Sequence, residues 1–117
     1  MDMPLLKIET SAVPDEEARN ALVAGLSGIV AGDIGKPEKY VMVSFVSSAM
    51  TMSGQRGDAA FVDIRSIGGL GPETNKRLAK DVCELLETSL GLSKDRVYMN
   101  FTDVSASDWG WNGSTFG

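Results

Sequence analysis

The chain has 117 residues, 43% of them hydrophobic and 23% charged, a makeup that suits one soluble globular domain able to bury a core. Its net charge of −5 supplies no basic footprint for nucleic acid or for an anionic membrane surface. The absence of histidine excludes histidine-based triads and zinc sites, and Cys83, the only cysteine, has no internal disulfide partner.

No stretch approaches the roughly 18 continuous apolar residues of a transmembrane helix. A basic segment leading into an apolar one is missing too, so no signal peptide is read and a cytoplasmic location is expected. Pro4 heads the first strand, and Met1-Asp2-Met3 stand ahead of it as an extension to a single domain over 4–117. Inside a chain the proline nitrogen is an amide without basicity, whereas at a terminus it is a secondary amine.

Leu5–Thr10 alternates, with Leu6 and Ile8 on one side and Leu5, Lys7 and Glu9 on the other, which predicts a strand. Pro14 followed by Asp15, Glu16 and Glu17 predicts a helix start, with carboxylates at the positive end of the dipole. Ala18, Leu22, Leu26, Ile29 and Val30 form an apolar stripe, and Gly32 and Gly35 end the helix. Tyr40–Ser48 reads as a returning strand, and Met50-Thr51-Met52 as a short edge strand for pairing with a neighbour. Ala60–Ser66 is the next strand, Gly68, Gly69 and Gly71 make a turn, and Pro72 suits a first helical position. Leu78, Val82, Leu85 and Leu86 form a second stripe capped by Gly91, and Arg96–Asp103 is the last long strand. Asn112-Gly113 marks a tight hairpin turn.

These elements repeat at a spacing of 56 residues: Leu6 and Ile8 match Val62 and Ile64, Leu22 and Leu26 match Leu78 and Val82, and Gly35 matches Gly91. The fold class that follows is α/β, an α+β two-layer arrangement. Two β-α-β repeats form a four-stranded mixed sheet with both helices on one face. Val41, Val43, Phe45, Val97, Met99 and Phe101 would face the helices. The other face would carry Met42, Ser44, Phe61, Asp63, Tyr98, Asn100 and Thr102. That mixture suits neither a dry core nor open water, so a homo-oligomer covering it is expected, against a monomer with a half-wet sheet.

Met3-Pro4, Gly35-Lys36-Pro37, Ser66-Ile67-Gly68-Gly69, Asp95-Arg96-Val97-Tyr98 with Asn100, and Trp111-Asn112-Gly113-Ser114-Thr115-Phe116 follow one another along the chain. In this combination and order the chain resembles the macrophage migration inhibitory factor family of the tautomerase superfamily. The resemblance implies a homotrimer with pockets at subunit interfaces. It also implies keto–enol tautomerase activity on aromatic α-keto acids such as phenylpyruvate and on dopachrome-like compounds, with no cofactor and no metal. It makes Pro4 the general base once exposed, with Lys36 and Tyr98 as catalytic partners. Lys36, Ile67, Tyr98, Asn100, Leu5, Trp109 and Phe116 would bind substrate, Tyr98 and Asn100 reaching in from the adjacent subunit. Trp109 is bulkier than the aliphatic residue common at that position in vertebrate relatives. The Cys-X-X-Cys pair of some relatives is replaced by Ala59-Ala60-Phe61-Val62, so thiol redox chemistry is not implied.

Each candidate also has a plain structural role. Pro4 can simply open an edge strand, and Lys36 lies in a turn typical of solvated lysines. Tyr98 and Asn100 can serve a subunit contact, Ile67 the core, and Trp109 and Trp111 packing; Cys83 reads as a buried structural thiol. The alternative function is a cytokine-like or regulatory binding protein whose proline is blocked by Met1-Asp2-Met3 and whose partner is a receptor. Such relatives leave cells without a signal peptide. A dehalogenase or hydratase using the same proline is a third reading.

Overall fold

The computed structural model describes residues 3–117, so Met1 and Asp2 of the expected extension lie outside the described residues. At the centre of the sheet β1 (Leu5–Thr10) runs antiparallel to β3 (Ala60–Ser66). Each central strand has a parallel partner on its outer side: β2 (Met42–Ser47) beside β1, and β4 (Val97–Asp103) beside β3. The order is therefore β2-β1-β3-β4, two β-α-β units placed back to back. Parallel neighbours need a crossover, and α1 (Glu16–Ile34) and α2 (Pro72–Leu90) supply them.

Both helices are set by local chemistry. The Asp15 carboxylate accepts from the Ala18 N–H at 2.8 Å and caps α1, whose first turn also carries Glu16 and Glu17. Pro72 opens α2, where a missing N–H leaves nothing unpaired. Gly35 and Gly91 close the two helices in left-handed conformation, with φ of 79° and 68°. Leu22, Leu26 and Val30 of α1 and Leu78, Val82 and Leu86 of α2 pack onto Leu6, Ile8, Val62 and Ile64 of the central strands. Each such side chain contributes about 1.5–3 kcal/mol relative to leaving it in water. The repeat thus superposes one half of the core on the other. Thr10 and Ser66, also 56 residues apart, are the two buried polar residues among those described, each satisfied by a backbone carbonyl.

Val43, Phe45, Met99 and Phe101 pack against this core, as the alternation predicts. Gly32 does not end α1; the helix runs through it to Ile34, because at that open position a glycine costs only about 1 kcal/mol. Tyr40 belongs to a tight helical turn over Glu38–Tyr40 and not to β2, since the preceding Pro37 favours such a turn. Arg96 likewise sits in a turn, Lys94–Arg96, before β4 begins.

Met50-Thr51-Met52 forms no strand within the chain. Met52 bridges back to Gln55 across Ser53 and Gly54, whose φ values of 58° and 65° reverse the backbone. The Arg96 guanidinium then donates to the carbonyls of Met52, Gly57 and Asp58 at 2.9, 2.9 and 3.2 Å, fixing this loop. Among the described residues, no helix is long and apolar enough to cross a membrane.

Candidate active site

A cavity of about 610 Å³ opens at the end of the sheet where β1 and β2 begin and β3 and β4 end. Pro4 and Leu5 line it at the start of β1. The Pro4 side chain is fully buried, and its carbonyl accepts the Met42 N–H at 3.0 Å. Proline suits this position because the first residue of a strand need not donate to the ladder. Leu5 pairs with Met42 on one side and Arg65 on the other, so these three share the sheet face away from the helices, and all three line the cavity.

The aromatic wall comes from the C-terminal segment. After β4 the Val104 N–H bonds to the Ser66 carbonyl at 2.9 Å, which steers the chain across the strand ends. A turn over Ala106–Asp108 leads to β5 (Gly110–Trp111) and β6 (Ser114–Thr115). Asn112 and Gly113, with φ of 53° and 79°, make the tight reversal expected of this pair. Phe116 stacks on Trp111, ring centres 6.1 Å apart and planes within 6°, and its N–H reaches the Trp109 carbonyl at 3.2 Å. Trp109 and Trp111 are thereby held against the cavity, with Tyr40 among its other lining residues.

Among the described residues, the charged ones lining it are Lys39, Arg65 and Asp108. Arg65 is anchored: its Nε and Nη2 both reach Asp63 Oδ2, at 3.1 and 3.0 Å. The Lys39 ammonium lies 5.1 Å from the Tyr40 ring centre, within cation–π range. Such a site can enclose a flat aromatic body and offer cations to an anionic end. Among the described residues, no cluster of three or more histidine, cysteine or acidic side chains could hold a metal ion. Cys83 is half-buried on α2, and burial pushes its thiol up, away from the reactive thiolate.

Of the residues singled out in the sequence, Pro4, Leu5 and Trp109 meet at this cavity. Phe116 lies behind it, stacked on Trp111. Lys36 is half-buried just past α1, its Cε 3.8 Å from where a Cβ on Gly69 would sit. Ile67 is half-buried immediately after β3. Neither Lys36 nor Ile67 lines the cavity within one chain. Tyr98 and Asn100 share the outer face of edge strand β4, across from Phe61 and Asp63. Tyr98 is 66% exposed and lines a separate hollow of about 510 Å³ beside Met50, Met52 and Phe61.

Arg65, Lys39, Tyr40, Met42 and Trp111 line the cavity without having been singled out for it. For Arg65 a signal was available: it lies two residues beyond Asp63 on one strand, so it faces the same way. For Trp111 the signal was the stack with Phe116, which only the hairpin geometry discloses.

The family model for macrophage migration inhibitory factor matches residues 3–117. The Mus musculus macrophage migration inhibitory factor is 37% identical over 115 residues, covering 97% of this chain and 99% of the mouse protein. A homolog from Brugia malayi is 36% identical over 116 residues, covering 98% of this chain and all of the nematode protein (100%). Among solved structures, the macrophage migration inhibitory factor-like protein of Entamoeba histolytica superposes with a TM-score of 0.94 at 34% identity, covering 97% and 99% of the two chains. The Prochlorococcus marinus homologue does so at 0.90 and 42% identity, with the same coverage of 97% and 99%. With the four-stranded mixed sheet of two β-α-β repeats in place and a match running from Met3 to the last residue, the chain belongs to the macrophage migration inhibitory factor family.

Proposed function

We propose that, in a form beginning at Pro4, this chain is a keto–enol tautomerase of aromatic α-keto acids such as phenylpyruvate and of dopachrome-like compounds. Family membership supports tautomerase-type chemistry at that coarse level. The observation that carries the finer reading is the buried Pro4 ring in an aromatic-walled cavity that also holds cations. A free α-amino group titrates at about 7.7–8.0, and burial disfavours its charged form, lowering that value. The neutral amine takes a proton from the carbon beside the ketone, the C–H electron pair moves to form the enolate, and the proton returns at oxygen or carbon. A positioned acid–base group of this kind contributes roughly 10²–10⁴ in rate. Lys36 stabilises negative charge on the substrate, and Ile67 presents its backbone. Tyr98 and Asn100 complete the site from a neighbouring subunit of a homotrimer, a placement supported by their outward position on an open edge strand.

The test is intact-mass analysis of the native amino terminus combined with a phenylpyruvate assay on the same sample. A Pro4-initial species that turns phenylpyruvate over is the expected result. Full turnover by a sample in which Pro4 is wholly peptide-linked eliminates the proline mechanism. A second reading, a binding protein with a masked proline, is favoured by Met3, which precedes Pro4 and lines the same cavity. Under that reading K36A and Y98F leave partner binding intact, whereas under the first both depress turnover.

A further inference from the structure

We propose that Arg65 is the anion-binding side chain of the Pro4 cavity, oriented by Asp63, and that it selects aromatic ligands ending in a carboxylate. The proposal rests on the tautomerase reading for its kinetic consequence, while its binding consequence stands without it. Arg65 lines the cavity beside Leu5, its cross-strand neighbour. The chain carries a net charge of −5, yet among the described residues this cavity is lined by two cations, Arg65 and Lys39, and one acid, Asp108.

Guanidinium geometry decides between the two cations. A planar fork can grip a carboxylate with two parallel N–H donors, whereas an ammonium acts as a point charge. Asp63 Oδ2 takes up the Nε and Nη2 donors at 3.1 and 3.0 Å, which holds the plane of the fork and leaves further N–H groups for a ligand. Lys39 is engaged with the Tyr40 ring at 5.1 Å. The roles then divide: Arg65 receives the carboxylate already present on the substrate, and Lys36 serves the charge that develops on the ketone oxygen. Trp109 and Trp111 hold the ring.

Phenylacetate and phenylacetamide, which differ in charge at one end, are the probes. Trp109 and Trp111 are the only two tryptophans, and both line the cavity, so intrinsic fluorescence reports occupancy directly. In the full chain, R65Q is expected to weaken phenylacetate tenfold or more while moving phenylacetamide less than twofold. R65K should keep most of the preference for the acid, and D63N should lose a smaller part of it. In the Pro4-initial form, R65Q should raise the KM for phenylpyruvate about tenfold, with kcat within threefold. Equal effects on acid and amide, no effect on either, or no phenylacetate binding at all would overturn the assignment. Arg65-dependent binding without any enolisation upholds it and removes the tautomerase reading; turnover with Arg65-independent binding does the reverse.

Discussion

Gly69 sits where the loop after β3 passes over the end of α1. Its φ is +80°, and a Cβ there would lie 2.6 Å from Ile34 Cγ2, inside any real contact distance. The G69A variant therefore meets both an unfavourable backbone and a clash with a buried side chain. A loss of about 1–3 kcal/mol is expected, read as a lower denaturant midpoint; an unchanged midpoint would contradict this. Single residues of this kind were partly legible in the sequence, since the run of glycines announced a turn. The cavity role of Arg65 was less so. Its meaning depends on register, because only pairing with Leu5 carries it to the strand end where Pro4 lies.

At the scale of elements, both helices and the central strands β1 and β3 were readable, because an apolar stripe at helical spacing and strict alternation are strong signals. Less readable were places where local backbone overrides pattern, such as the tight turn over Glu38–Tyr40 that keeps Tyr40 out of β2. The helix pair also holds an acidic contact that no pattern announces. Asp33, near the end of α1, faces Asp81 and Arg77 of α2, and its Oδ2 is buried without a donor. Burial first, then hydrogen bonding and repulsion from Asp81, raise the Asp33 carboxyl to about 6, against the opposing pull of Arg77.

A pKa raised in the folded state means that folding favours the protonated acid. The stabilisation is complete below the ordinary value of 3.8 and is lost as pH rises through about 6. The D33N variant mimics the protonated form at all pH values. It should flatten the stability profile between these limits and raise the thermal midpoint at pH 7.5 by about 3 °C. That corresponds to about 1 kcal/mol once solvent screening of a part-exposed carboxyl is allowed for. Thermal melts of both proteins at pH 4 and 7.5 test this; parallel profiles would refute it.

For the molecule as a whole, the sheet ends on two open edges, β2 and β4, and its outer face exposes Met42 at 67% and Tyr98 at 66%. Open edges and exposed apolar side chains call for cover. In the proposed homotrimer, one subunit gives Pro4 and its neighbour gives Tyr98. Mixing P4G with Y98F chains, each expected to depress turnover alone, should therefore under subunit exchange restore a fraction of phenylpyruvate turnover. Without restoration in mixed trimers whose composition is verified by native mass measurement, the shared site is ruled out. The mixed outer face pointed to an assembly, and the assignment of Tyr98 and Asn100 to the adjacent subunit came from the resemblance alone, because no pattern within one chain encodes it.

Pro4 is tethered through its carbonyl, by the Met42 N–H, and not through its nitrogen. Scission of the link on the nitrogen side therefore leaves the tether in place. The liberated amine would emerge on a rigid scaffold with its heading already set, so a masked precursor could be armed by trimming alone, with no rearrangement between the cut and the first turnover.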